Sequence, residues 1–170
     1  MWHWRLPTRS SGRTTRTSSA FRGLTVLLDI PPVMQETDSD CGPAAFRAVV
    51  KFWGVRGAVV PAHCERNGCS PDALEVALSL AGLTTVSGFL DVPALKYLTG
   101  RGWPVICLVT LDGTGHYVVV RGVQYRVVHL HCPSRGAARH PAVEFESLWA
   151  DVSRFGAVYD QWGVAVRRPS

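Results

Sequence analysis

The chain is expected to adopt an α+β fold, with helices in its first half and an antiparallel-looking β-meander in its second. Helix-type periodicity bounded by caps and glycine stops occupies residues 41–100. From residue 104 onward the pattern changes to β-branched runs of strand length joined by short polar loops. The length, 170 residues, suits one domain with a real core and not comfortably two.

Residues 1–22 lack periodicity and are rich in Ser, Thr and Arg, so they read as a flexible basic tail preceding a domain over 23–170. "LTVLLDIPPV" is an extended apolar lead-in, because Pro31-Pro32 can continue neither a helix nor a central strand. From Cys41 to Trp53 the apolar residues Ala45, Phe46, Ala48, Val49, Val50, Phe52 and Trp53 cover most of a helical surface. That helix should be buried on more than one side, with Pro43 tolerated in its first turn and Gly54 ending it.

A second helix is signalled by "SPDALEVALSLAG": Ser70 caps, Pro71 takes the first position, Leu74, Ala77, Leu78 and Ala81 form the stripe, and Gly82 stops it. "DVPALKYLTGRG" gives a third helix between Pro93 and Gly100. "PVICLVTL", "HYVVVRGV" and "RVVHLHC" then read as strands joined by "DGTG" and "QY", and Cys107 in the first of them as a core residue. Residues 144–152 suggest a short helix and "WGVAVRR" a last strand. The helices are expected to lie together in one lobe.

Composition narrows the function. Hydrophobic residues make up 46% and charged residues 18%, which is globular rather than disordered. The net charge of +5 owes much to Arg5, Arg9, Arg13, Arg16 and Arg22 in the tail, and no basic stripe interleaves with aromatics, so nucleic acid is not an expected partner. The five cysteines, at 41, 64, 69, 107 and 132, are odd in number and scattered, unlike a secreted disulfide scaffold. No stretch approaches the ~18 apolar residues of a membrane span. The N-terminus has no apolar core of a secretory signal, so a cytoplasmic location is expected.

Chemistry concentrates at "MQETDSDCGPAA". A thiol at a helix N-terminus meets the positive end of the helix dipole, which favours thiolate. The nucleophile then needs a base from elsewhere in the fold. Among six histidines, His116 opens a strand directly after a Gly-containing loop, where an imidazole can be aimed into a cleft. His63 and His140 stand beside prolines in loops, and His129 and His131 share one strand face. Acyl transfer also needs oxyanion donors: the backbone N–H of Cys41 can supply one and the Gln35 side chain another. Gly42, lacking a side chain, is expected to let a substrate chain approach. Asp38 and Asp40 read as acids favoured at a helix start rather than as bases.

These residues resemble the papain clan of cysteine peptidases. Within it they are most similar to the bacteriocin-processing, double-glycine leader peptidase family, number thirty-nine of the cysteine peptidases. The family pattern is a Gln, an Asp-Cys-Gly opening a helix that ends in aromatic-Gly, an His-aromatic-Val-Val strand, and an Asp-Pro after the next strand. This chain has "QETDSDCGPAAFRAVVKFWG", "GHYVVVRGV" and "VVHLHCPSRG", over a similarity running from about residue 30 to the end. The resemblance implies a papain-like fold, with the nucleophile helix packed on an antiparallel β-sheet lobe. It implies Cys41 as nucleophile, His116 as general base and Gln35 as the oxyanion-hole side chain. At the third position, where the family has Asp, this chain has Cys132.

The expected function is therefore peptide-bond hydrolysis by a Cys–His mechanism on a peptide or protein substrate, with leader processing as the family's theme and no cofactor. Family members often form part of an ATP-driven peptide exporter. This sequence contains neither a membrane span nor a Gly-x4-Gly-Lys-Ser/Thr phosphate loop, so such an exporter is expected to be a separate polypeptide. The alternative is a catalytically impaired peptide-binding module on the same fold, favoured by Cys132. A zinc site from His63, Cys64 and Cys69, or from His129, His131 and Cys132, lacks the usual tight ligand pairs.

Overall fold

The computed structural model describes residues 27–60, 64, 68–152 and 158–169; the basic tail and His63 lie outside the described residues. In chain order the elements are α1 (Cys41–Phe52), α2 (Pro71–Leu80), β1 (Thr84–Phe89), α3 (Val92–Gly100), β2 (Val105–Leu111), β3 (Thr114–Gln124), β4 (Val127–Cys132), β5 (Gly136–Pro141), α4 (Ala142–Leu148), β6 (Ala150–Val152), β7 (Val158–Asp160) and β8 (Trp162–Arg167).

The helix boundaries follow their local signals. Ser70 accepts a hydrogen bond from the Ala73 N–H at 3.2 Å, and Asp91 one from Ala94 at 2.7 Å, each with a proline in the first turn beyond. These caps satisfy N–H groups that have no intrahelical acceptor. Helix α1 ends as Gly54 turns left-handed (φ 67°) and donates to the Lys51 carbonyl at 3.0 Å. Nine of its twelve residues are buried, as a helix apolar all round requires.

A six-stranded sheet, in the order β1-β8-β2-β3-β4-β5, is antiparallel throughout, and β6 pairs separately with β7. The hairpins β2–β3 and β3–β4 turn on Asp112-Gly113 (φ 52° and 76°) and Tyr125-Arg126 (φ 48° and 62°), two-residue turns whose left-handed backbone matches strand twist. Both faces of the central strands are buried, which explains their unbroken apolar runs. On one face Ile106, Leu108, Tyr117, Val119, Val164 and Val166 pack under α1 and α2. On the other, Val105, Cys107, Val109, Val118, Val120, Val128 and Leu130 pack with α3 and α4 through Leu95, Leu98 and Phe145.

Several expectations change on the tertiary scale. The helices do not gather on one side, since α3 and α4 cover the face opposite α1. Residues 84–89, with no strong strand pattern, form β1 because β8 supplies a partner from Thr84↔Arg167 to Phe89↔Trp162. His140, expected in a loop, lies on β5 opposite Val128. The helix expected over 144–152 instead runs Ala142–Leu148, and β6 follows it. The turn after β3 uses Tyr125-Arg126 rather than Gln124-Tyr125.

The apolar lead-in crosses the sheet as an extended strap. Leu28 exchanges bonds with Arg121, its N–H donating to the Arg121 carbonyl (2.9 Å) and its carbonyl accepting from the Arg121 Nε–H (2.8 Å). His131 Nε2 donates to the Val33 carbonyl at 2.8 Å, and the Gln35 N–H to the Pro133 carbonyl at 3.0 Å. The strap thus brings Gln35 to the end of β4.

Candidate active site

Helix α1 begins at Cys41, whose side chain is buried at 8% exposure. His116 is half-buried on β3, opposite Val109 of β2. By strand alternation it shares the face of Val118 and Val120, the face to which Cys132 of β4 also belongs. Cys132 Sγ lies 3.4 Å from His116 Nε2, and Ser134 Oγ lies 3.3 Å from the same nitrogen and 3.2 Å from Cys132 Sγ. The Cys41 thiol also acts on the imidazole and raises its pKa, so it stands near the ring.

Burial pulls the His116 pKa down, but the Cys132 thiol bonded to it and the nearby Cys41 thiol outweigh burial and raise it to about 9. Burial pushes Cys132 up, yet hydrogen bonds from His116 and Ser134 and the imidazolium charge bring it down to about 7. The two shifts describe one coupled unit, an imidazolium facing a thiolate around neutral pH.

Ahead of Cys41 the chain makes a tight loop held by Asp40. Its carboxylate gives no side-chain cap to α1. It reaches back to accept from the N–H groups of Glu36 (3.1 Å) and Thr37 (3.0 Å) and from Arg47 Nη2 (3.1 Å). Burial would raise its pKa; the Thr37 and Glu36 N–H groups and Arg47 outweigh that and hold it below the ordinary value. Asp40 is thus a loop fastener, where its position alone suggested an acid facing the helix dipole. Within this loop Gln35 Nε2 donates to the Thr37 carbonyl at 2.8 Å, while its Oε1 is buried with no hydrogen-bond partner.

The space expected above Gly42 is occupied. A Cβ added there would lie 2.8 Å from the Cys69 Cβ and 3.2 Å from the Tyr117 ring. Tyr117 Oη in turn donates to the Cys69 carbonyl at 2.9 Å. The glycine therefore admits the chain's own Cys69 segment, not a substrate.

Of the residues singled out in the sequence, Cys41, His116 and Cys132 come together, and Gln35 joins the end of β4 through its backbone. His129 and His131 face away from Cys132 by strand alternation, and His131 is engaged by the strap. Among the described residues no group of three or more His, Cys, Asp or Glu could hold a metal ion. Ser134, Tyr117 and the fastening role of Asp40 were not read from the sequence. Register offers a signal for Ser134: extending the β3–β4 pairing two residues past Val118 and Cys132 sets it opposite His116.

A buried helix headed by a thiol, packed on an antiparallel sheet that presents an imidazole, is the architecture of a papain-like cysteine peptidase. The chain belongs to the Peptidase C39 family, whose description matches residues 29–155. Comparison with curated proteins gives no match. Among solved structures the fold is similar to a double glycine motif protease from an AMS/PCAT transporter, in complex with its leader peptide. That likeness is 18% identical with TM-score 0.60, and covers 84% of this chain and 94% of the other. It is also similar to the peptidase domain of Streptococcus ComA, a bi-functional ABC transporter involved in quorum sensing (20%, TM-score 0.62, covering 81% and 97%). A C39-like peptidase from Bacillus anthracis is a third (14%, TM-score 0.59, covering 85% and 98%). Among the described residues no helix is long and apolar enough to cross a membrane.

Proposed function

We propose that this C39 family member is an active cysteine peptidase in which Cys41 is the nucleophile, His116 the proton carrier, Gln35 an oxyanion donor and Cys132 the third member. The observation that supports this reading is the imidazole of His116, 3.4 Å from Cys132 Sγ and with its pKa raised in part by the Cys41 thiol. The Cys41 thiolate attacks the scissile carbonyl carbon, and the oxyanion formed meets the N–H groups at the head of α1 and the second N–H of the Gln35 amide, the first being bound to Thr37. His116 gives its proton to the leaving amine, leaving a thioester on Cys41. Water, deprotonated by His116, then attacks the thioester, and the acid and free thiolate are released.

Cys132 takes over the work of a carboxylate in this scheme. With its pKa near 7 it carries negative charge where the imidazolium needs a partner, and Ser134 supplies a second polar contact on Nε2. The substrate class that fits the family and its structural neighbours is a peptide leader ending in Gly-Gly, on the cargo of an ATP-driven exporter.

Incubation with a synthetic leader ending in Gly-Gly, joined to a short cargo, tests this by mass spectrometry. Cleavage after Gly-Gly by the native protein and none by Cys41→Ala is the expected result. If the native protein binds the peptide without cutting it, and iodoacetamide labels Cys41 no faster than an ordinary exposed thiol, the peptide-binding module replaces the peptidase.

A further inference from the structure

We propose that Cys64 and Cys69 are an oxidisable dithiol that closes to a disulfide beside the candidate active site when the protein meets a peroxide. The inference stands apart from the peptidase reading, because neither residue has a role in it.

Both cysteines are free, and the Cys69 thiol donates to Cys64 Sγ at 2.7 Å. A closure of roughly 0.7 Å brings the sulfurs to bonding distance. They stand five positions apart in the chain, so local connectivity keeps them together. Cys64 is wholly buried and Cys69 half-buried, which leaves the pair one side open to small oxidants. Burial and the hydrogen bond to Cys64 push the Cys69 thiol up.

The surroundings fix one half of the pair firmly. The Cys69 carbonyl is held by Tyr117 Oη at 2.9 Å, and its Cβ lies against Gly42, next in sequence to Cys41. A disulfide here would tie that anchored segment to the core, which Cys64 enters alongside α1 and α2.

The chemistry balances with hydrogen peroxide as the oxidant. The Cys69 thiol gives its proton to solvent and the thiolate attacks one peroxide oxygen; the O–O bond breaks, leaving a sulfenic acid and a hydroxide that takes up a proton to become water. The Cys64 sulfur then attacks the Cys69 sulfur; the S–S bond forms, the S–O bond breaks, and a second water leaves with the Cys64 proton. Two thiols lose two electrons and two protons, and one peroxide becomes two waters.

Peptide mapping of the native protein decides the matter. Trypsin cuts after Arg66, between the two cysteines, and places each of the five cysteines on a different peptide. After dilute hydrogen peroxide and alkylation under denaturing conditions, peptides 57–66 and 67–96 should appear as one species. It should be lighter by two hydrogens than their sum, and a reductant should separate it. The Cys41 peptide, 23–47, should be unlinked to either. Cys69→Ser should abolish the cross-linked species. Cys64 and Cys69 alkylated independently, oxidised separately to sulfinic acids, or Cys69 linked to Cys41 would each overturn the proposal. The native map keeps the test decisive even where a variant at buried Cys64 fails to fold.

Discussion

His116 owes its charge to its neighbours. Burial alone would leave it neutral near pH 7, and it is the two thiols that lift it to about 9. Removing Cys132 deletes the larger of the two thiol contributions, so in Cys132→Ala the His116 pKa should fall well below 9. An NMR titration of the ring reads this directly, and the alkaline limb of a pH–rate profile should move to lower pH with it. On the proposed mechanism the same variant should lower kcat about tenfold or more, since His116 would lose the group that orients it. Cys132→Asp should restore the alkaline limb, which a merely steric role for Cys132 would not do. If Gln35 serves the proposed oxyanion, Gln35→Ala should lower kcat roughly 100- to 1,000-fold with little change in KM, as such a donor acts mainly in the transition state. Of these candidates Cys41, His116 and Gln35 could be singled out in the sequence, because each stands at a local signal: a helix start, a strand opening, an upstream amide. Ser134 could not, because a serine in a turn has no such signal until the β3–β4 register sets it opposite His116.

The head of α1 is the element on which the site depends. It is held from outside by Asp40 and packed from above by Cys69 and Tyr117. Asp40→Ala removes the acceptor shared by the Glu36 and Thr37 N–H groups and Arg47; both residues are exposed enough for water to replace part of it, so the loss should be about 1 kcal/mol in urea unfolding. The depressed Asp40 pKa also gives a pH dependence. Its contribution is complete above the ordinary value of 3.8 and disappears as pH falls through its lower folded value, so Asp40→Ala should lose less stability on acidification than the native protein. Two glycines give a contrast that tests the packing. Gly42→Ala forces a Cβ within 2.8 Å of Cys69 and should destabilise by about 1–3 kcal/mol, whereas Gly100, at the end of α3, has nothing within 4 Å of an added Cβ. Gly100→Ala should be neutral or stabilise by up to about 1 kcal/mol. The helices were legible element by element, since caps, prolines and stripes are local. The orientation of Asp40 was not: a helix-start acid can face the dipole or the preceding loop, and only Arg47 and the Glu36–Thr37 turn decide which.

Across the whole molecule, the strap couples the N-terminal lead-in to the far end of the sheet. His131 binds Val33, and two residues later Gln35 binds Pro133, one residue past Cys132. His131→Ala should therefore speed hydrogen exchange at the Gln35 amide and lower kcat while leaving KM nearly unchanged. An unaltered Gln35 exchange rate in that variant would remove the strap from any part in placing the glutamine. The sequence by itself determined the α+β class, the capped helices and the central strands, all of which rest on periodicity and local caps. Only the tertiary structure decided that β1 and β5 are strands, that α3 and α4 cover the opposite face, that Gly42 shelters Cys69, and that Cys132 reaches the imidazole. Each of those depends on which distant segment pairs or packs with which. That choice is fixed by the joint burial of both sheet faces, which no local stretch of sequence contains.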